Sequence, residues 1–351
     1  MRFTVIVPAY NASHYLPDCL ASLDRQTDND FECVFVDDGS TDDTASILNE
    51  YATSHYHTQV LHGPNQGLLL ARRRGLCEAK GDYVVFLDSD DCLKENALEE
   101  ISNCLDKTGA DIVAFHSSRN ADYSTEDDTT TLEAGLYEGE KYQLVKEHVC
   151  RGRFNSMWGK AFRRSSLDLN ANYEPYKGLM HGEDLLQILP IVDRSGSLVQ
   201  MHDTLYFYRP NEGSSTAKYR ASQLRDITIV NRRLREYATV WGGGCPEAAV
   251  IGETNSYVYL LKISELSDAS DQDKETAFEN IRLVMETEGV FERAEGAHLR
   301  PDNKLILNAL HSEKRLAARA IVIAAEKLKG KVLEVGKRSD FEHVIQRLGF
   351  R

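Results

Sequence analysis

Tyr83-Val84-Val85-Phe86-Leu87-Asp88-Ser89-Asp90-Asp91 passes from an apolar run of strand length into three carboxylates within four positions. Two like charges ~4 Å apart repel by roughly 4 kcal/mol at an effective dielectric of about 20, so a fold that keeps such a cluster together needs a cation to offset it. Hard oxygen ligands on one short loop suit Mg²⁺ or Mn²⁺, which commonly bind one or two carboxylates plus substrate phosphates. The plainer alternative is a solvated strand-to-helix turn in which one Asp caps the next helix.

On either side of this stretch, strand-length apolar runs alternate with amphipathic, helix-length segments through the first ~120 residues, the pattern of a parallel sheet covered by helices. Strands are expected at Phe3 to Pro8, Glu32 to Asp37, Gln59 to His62, Tyr83 to Asp88 and Asp111 to His116. Helices fall between them: Ser13 to Arg25, one entered through Ser40-Thr41-Asp42-Asp43, one after Asn65-Gln66-Gly67, and Asn96 to Asp106. Asn120 to Glu133 reads as an exposed acidic loop holding Asp127 and Asp128. Helices then follow near Glu138 to Cys150 and Glu183 to Val192, with a short strand pair at Leu198 to Met201 and Leu205 to Tyr208. Past Gly213-Ser214-Ser215 the period is helical, interrupted by the breaker Trp241-Gly242-Gly243-Gly244-Cys245-Pro246. A boundary is expected near residue 215.

The 351 residues, 42% hydrophobic and 27% charged, describe an ordinary globular protein with room for two domains. No stretch approaches the ~20 apolar residues of a membrane span, and Met1 runs directly into a strand pattern, so a protein kept in the cytoplasm is expected. Seven cysteines without a Cys-x-x-Cys pair read as thiols of a reducing compartment. The net charge is −14; residues 300 to 351 carry twelve Lys/Arg against six Asp/Glu, a local +6 that leaves −20 on the body. So acidic a body repels nucleic acid.

Three more constellations gather at the C-terminal ends of the strands, where open α/β sheets bind ligands. Strand one ends in Val7-Pro8-Ala9-Tyr10-Asn11, without the Gly-x-Gly-x-x-Gly loop that wraps a pyrophosphate, so phosphates must be neutralised elsewhere. Tyr10 offers either an aromatic wall to a base or ribose, or a core ring. Strand two ends in Val36-Asp37-Asp38-Gly39-Ser40, a carboxylate pair that can accept the N–H of a pyrimidine or simply fix the turn. Arg72-Arg73-Arg74 point about 100° apart on their helix, so one is expected to face the ligand edge and the others solvent.

The order Val-Pro-Ala-Tyr-Asn, Val-Asp-Asp-Gly-Ser-Thr-Asp, Asn-x-Gly-x-x-x-Ala-Arg and Leu-Asp-Ser-Asp-Asp over residues 5 to 91 resembles the nucleotide-binding half of family 2 glycosyltransferases of GT-A type. The resemblance implies a Rossmann-like, mostly parallel α/β sheet with helices on both faces. It also implies a loop that holds Mn²⁺ or Mg²⁺ against the diphosphate of a nucleotide sugar. On that basis Asp90 is a metal ligand, Asp88 a metal or ribose contact, Asp38 the base contact and Arg72 the basic partner of the nucleotide. Pro8, Ala9, Tyr10, Asn65 and Ser89 fall beside them on the nucleotide-sugar side. One departure is Arg73, where many relatives have Asn.

In the second half, Trp158-Gly159-Lys160 and His181-Gly182-Glu183-Asp184 resemble the Trp-x-Lys and Glu-Asp motifs of members that build bacterial polysaccharides. Asp184 is then the implied catalytic base, with Trp158, Lys160 and Glu183 on the acceptor side. Without the family, Glu183 and Asp184 also suit the dipole at a helix start. The segments at 206–211 and 214–216 resemble the close of such catalytic domains, which would give a catalytic domain 1–215, with a nucleotide-binding half 1–117 and an acceptor half 118–215, and a helical region 216–351. The expected reaction is inverting, metal-assisted transfer from a nucleotide-sugar donor, a UDP-sugar, to a hydroxyl of a glycan or lipid-linked acceptor. The rivals are a non-catalytic nucleotide-sugar-binding or scaffold protein and a sugar-nucleotide pyrophosphorylase, whose Gly-rich loop after strand one is missing here. The basic, amphipathic stretch Ser312 to Lys331 either packs on neighbouring helices or a second subunit, or lies on the inner face of an anionic membrane.

Overall fold

The computed structural model describes residues 1–125, 132–210 and 219–332, with side chains to Glu326; the acidic pair Asp127 and Asp128 and the segment 214–216 lie outside the described residues. These divide into two compact units, one of residues 1–210 with 232–248, the other of 219–231 with 249–332.

The first unit is built on a nine-stranded sheet whose strands are β1 (Phe3–Ala9), β2 (Phe31–Asp37), β3 (Thr58–His62), β4 (Tyr83–Phe86), β5 (Cys92–Leu93), β6 (Ile112–Ser118), β7 (Gly135–Glu138), β8 (Lys160–Arg163) and β9 (Ser197–Phe207). Their order is β3-β2-β1-β4-β8-β6-β9-β5, with β7 also on β9. β1 to β4 pair in parallel, as do β6 and β9, whereas β5, β7 and β8 run against their neighbours. The mostly parallel sheet with helices on both faces is as expected, and β1, β2, β4 and β6 are buried on both sides, which is why they read as continuous apolar runs.

Side chains alternate between the two faces. Val5, Val7, Phe35 and Val85 share a core with helices α1 (Leu16–Asp24) and α2 (Thr44–Ser54). Ile6 and Val36 face α3 (Leu68–Glu78), which approaches so closely that a Cβ on Gly75 would sit 2.5 Å from the Ile6 Cγ2. Helix α4 (Ala97–Thr108) joins the first core through Leu98, Ile101 and Leu105. Two more helices, α5 (Gln143–Cys150) and α6 (Glu183–Arg194), complete the set before β9. The apolar stretch from 198 to 208 is one strand, not a hairpin: β9 runs unbroken, its pairing with β6 shifting register between Ala114 and His116 and again at Ser117. The short strands β5, β7 and β8 carry too few residues for an alternating pattern to stand out. The cysteines are all free thiols.

β8 runs antiparallel to β4, with Val85 opposite Ala161, so the start of β8 adjoins the end of β4. The end of β9 meets β5, with Phe207 opposite Cys92. Segments far apart in the chain therefore converge on one sheet edge.

The second unit is helical. The N-terminal half of α7 (Ala221–Trp241), most of α8 (Cys245–Leu266), α9 (Asp271–Thr287), α10 (Val290–Arg293), α11 (Pro301–His311) and α12 (Arg315–Val332) supply its elements. Its core includes Tyr257, Leu261, Phe278, Ile281, Met285 and Ile306. Ala318, Ile321 and Val322 of α12 belong to that core and Arg315 is ion-paired to Glu265 and Glu275, so the amphipathic stretch packs its apolar side within the unit. Among the described residues no helix is long and apolar enough to cross a membrane.

Candidate active site

The three aspartates after β4 meet three different sets of protein partners. Asp88 accepts from Arg72 Nη2 at 3.1 Å, and its backbone N–H donates to the Tyr206 hydroxyl at 3.2 Å. Asp91 turns inward, accepting from the Tyr206 hydroxyl at 2.7 Å and the Arg209 backbone N–H at 2.8 Å. Burial, reinforced by Asp88 and Asp90, pushes the Asp91 carboxyl up to about 8. Asp90 is held only through its carbonyl, which accepts from Arg209 Nε at 2.8 Å; its carboxylate takes no hydrogen bond or ion pair among the described residues.

Arg72 is the hub. Only 1% exposed, it gives Nη2 to Asp88 and Nη1 to Asp184, while its Nε finds no acceptor. Burial works against its charge, but Asp184 and Asp88 outweigh that and raise its pKa. Burial likewise pushes the Asp88 carboxyl up, with Arg72 pulling it back. The expectation that the other two arginines face solvent is corrected. Arg73 donates to the carbonyls of Asp168 at 2.6 Å, Leu169 at 2.8 Å and Ala171 at 3.3 Å, and its guanidinium lies over the Tyr173 ring. Arg74 approaches Asp38 at 3.8 Å. Three directions on one helix face three different partners.

Asp38 is buried, and both its oxygens accept from the Gln66 N–H at 3.1 Å, one of them also from the Gly67 N–H at 2.8 Å. It pins the entry to α3, which leaves little of it to meet a base. Asp37 takes the Ser40 N–H at 3.0 Å and His62 Nδ1 at 3.1 Å; burial opposes its charge, yet these partners hold its carboxyl below the ordinary range. Gly39 makes the turn possible, with φ +77° and no room for a Cβ, which would fall 2.6 Å from the Asn65 nitrogen. The loop after β1 is tied to this turn: Asn11 Oδ1 accepts from the Thr41 N–H at 2.8 Å and the Ala12 N–H donates to Thr44 Oγ1 at 2.8 Å. Tyr10 is 51% exposed, so its ring is not core. Pro8 and Ala9 lie in β1, both buried, Asn65 is exposed, and Ser89 is partly buried beside Asp88.

Asp184, second residue of α6, accepts from the Met157 N–H at 3.3 Å as well as from Arg72. Glu183, beside it, has only its own backbone N–H on its carboxylate among the described residues, and burial together with Asp184 pushes it up to about 8. The two adjacent carboxyls thus have opposed environments, the arrangement that separates a proton carrier from an ion-paired carboxylate. Trp158 stacks on Tyr206 and Tyr208, ring centroids 5.0 and 5.3 Å away. Lys160 does not reach toward an acceptor, as the resemblance had implied. It is 2% exposed, and Nζ donates to the Ser156 carbonyl at 2.7 Å, Ser156 Oγ at 2.8 Å and the Trp158 carbonyl at 3.4 Å.

Tyr206, Arg209 and Met157 were given no role on sequence grounds. The signal for the first two was a strand ending in Tyr-x-Tyr-Arg, legible only once β9 is placed beside β5; a backbone N–H such as Met157's leaves no trace in sequence. A cleft of about 820 Å³ lined by Arg2, Asp82, Arg163, Arg164 and Arg194 holds none of the expected site residues. The chemistry gathers instead at the strand ends.

Comparison with known proteins agrees with this geometry. Residues 4–168 match the model of Glycosyl transferase family 2. The chain is 30% identical over 223 residues to the putative glycosyltransferase EpsH of Bacillus subtilis, covering 62% of this chain and 63% of that protein. It is 29% identical over 227 residues to the glycosyltransferase GlyA of Streptococcus pneumoniae, of whose length it spans only 31%. The crystal structure of S. aureus TarS 1-349 in complex with UDP-GlcNAc superposes with a TM-score of 0.64 at 18% identity, covering 93% of this chain and 92% of that one, a likeness of fold. The matched motifs lie in a segment, residues 4–168, that carries a glycosyl transferase family 2 domain, and the sheet that brings them to one edge has the GT-A fold.

Proposed function

We propose that the chain is an inverting, metal-assisted glycosyltransferase that moves a sugar from a UDP-sugar to a hydroxyl of a glycan or lipid-linked acceptor in the cytoplasm, within bacterial polysaccharide or glycoconjugate synthesis. The observation that carries this reading is the Arg72 bridge, which joins Asp88, on the expected diphosphate side, to Asp184, on the expected acceptor side. The catalytic domain is taken as 1–215 and the helical region as 216–351.

The residues fit a divalent metal. The Asp90 carboxylate is uncommitted and the Asp88 carboxylate keeps one oxygen clear of Arg72, a hard-oxygen pair. Among the described residues no group of three or more His, Cys, Asp or Glu side chains gathers, so the chain offers one or two carboxylates and substrate phosphates would complete the set, as is usual for Mg²⁺ and Mn²⁺. Bound there, the metal would offset the charge that develops on the departing diphosphate.

The remaining work falls to the chain itself. Arg72 lies within reach of both ends of the displacement and balances charge in a site where solvent screens poorly. Asp184 retains free lone pairs beyond those given to Arg72 and the Met157 N–H, and can take the proton of an acceptor hydroxyl attacking opposite the leaving group. Glu183, carrying its own proton at neutral pH, is suited to hydrogen-bond an acceptor rather than to abstract a proton. The exposed Tyr10 ring and Asn65 border the nucleotide side, and Trp158 the acceptor side.

The test is nucleotide release and sugar transfer by the purified protein over UDP- and GDP-sugars, UDP-GlcNAc first, with and without Mn²⁺. Asp90→Ala is expected to abolish the metal response, and Asp184→Asn to slow transfer by about 10²- to 10⁴-fold. Full transfer by Asp184→Asn would remove the base assignment; UDP binding with no turnover on any pair would leave a binding protein.

A further inference from the structure

The least expected side chain near the site is Lys160, a lysine sunk in the sheet at the first position of β8. All three of its ammonium hydrogens have protein acceptors, two on Ser156 and one at the Trp158 carbonyl, and Nζ lies 4.4 Å from the Phe154 ring centroid. Burial pulls the ammonium down to about 7 and Asp184 pulls it back up; the three oxygens and the ring face favour the charged form as well. Such a group is costly to bury. Its acceptors show what it holds: the turn of residues 156–158.

That turn touches both sides of the site. From its middle, the Met157 N–H points at Asp184 Oδ2. From its end, Trp158 stacks on Tyr206, whose hydroxyl joins Asp91 to the Asp88 backbone. We propose that Lys160 is a positioning residue that fixes the 156–158 turn so that the Met157 N–H orients the Asp184 carboxylate, and that it makes no contact with the acceptor. The inference rests on the reading of Asp184 as the base.

The consequence is a specific kinetic signature for Lys160→Met. An acceptor contact would show as a raised acceptor KM with kcat kept. A positioning residue lowers kcat, here by about 10²-fold if the carboxylate shifts by an ångström, with acceptor KM and UDP affinity unchanged. Because the effect runs through Asp184, the double variant Lys160→Met/Asp184→Asn should be no slower than Asp184→Asn alone; a further loss would mean that the lysine acts by another route. Lys160→Gln, which keeps a donor, should recover part of the loss. Amide exchange at Met157 provides a readout that needs no turnover: slow in the parent chain, faster in Lys160→Met with UDP binding intact. Unchanged exchange, or a loss confined to acceptor KM, would overturn the proposal. If Asp184→Asn is itself fully active while Met157 exchange still responds to Lys160, it is the base assignment that has failed, and the lysine's hold on the turn stands.

Discussion

The two carboxylate clusters, Asp88 to Asp91 after β4 and Glu183-Asp184 at the head of α6, solve the same repulsion in the same way up to a point. In each, one carboxylate is ion-paired to Arg72 and another is pushed up to about 8 by desolvation. They differ in how the raised carboxyl is kept. Asp91 is fully engaged by Tyr206 and Arg209, which makes it a structural strut, whereas among the described residues the Glu183 carboxylate meets only its own backbone N–H. The first cluster also carries an uncommitted third member, Asp90. Adjacent carboxylates of identical type therefore divide into framework and available chemistry, and it is the partners contributed by distant segments that decide which is which.

Removing what the clusters share breaks the comparison most severely. Arg72→Ala leaves two carboxylates without their counter-charge, a loss of about 3–5 kcal/mol in stability by the usual cost of breaking a buried pair. Urea unfolding should show it, with transfer lost as well. Arg72→Lys should recover only part, since one ammonium cannot fork to Asp88 and Asp184 as the guanidinium does.

Next in size is the contrast inside the first cluster. Asp91→Ala strands the buried Tyr206 hydroxyl and the Arg209 N–H and should cost about 1–3 kcal/mol in thermal unfolding. Asp90→Ala removes no hydrogen bond from the fold and should leave the melting temperature of the metal-free protein unchanged while erasing its shift with Mn²⁺ and UDP. Equal losses of stability for the two would show that Asp90 is framework too.

Much of this was legible in the chain. The parallel half of the sheet and the strand ends where Asp88 and Arg72 are expected follow from motifs and their order, and the fold brings Asp184 to Arg72 there. What stayed hidden was pairing. β8 is four residues long and inverted between β4 and β6, so nothing in its sequence announces that it delivers Lys160 into the sheet. The resemblance places Lys160 on the acceptor side, and nothing in its type argues otherwise, since lysine is so seldom fully buried. Arg73, the departure from the family pattern, is expected to face solvent, and proves to be a clamp on three carbonyls of the 168–171 segment. Backbone acceptors impose no residue type, so their demands do not appear in the alphabet.

The smallest effect sharpens the second cluster. With its carboxyl raised from an ordinary 4.5 to about 8, Glu183 favours the fold fully only below pH ~4.5, and that contribution is lost as pH rises through about 8, because above it the folded state must hold a charge that the unfolded chain carries freely. Glu183→Gln removes the titration while keeping the shape. The variant should match the parent near pH 4.5 and melt a few degrees higher by pH 8.5, the difference opening steadily between. Melting curves at several pH values, taken without metal, measure it. A constant difference across that range would mean that another residue engages the Glu183 carboxylate when folded, and the distinction between it and Asp91 would close. If the difference opens as stated, Glu183 is a protonated carboxyl at neutral pH whose hydrogen no other residue takes up, and a hydroxyl-bearing acceptor is the natural group to accept it.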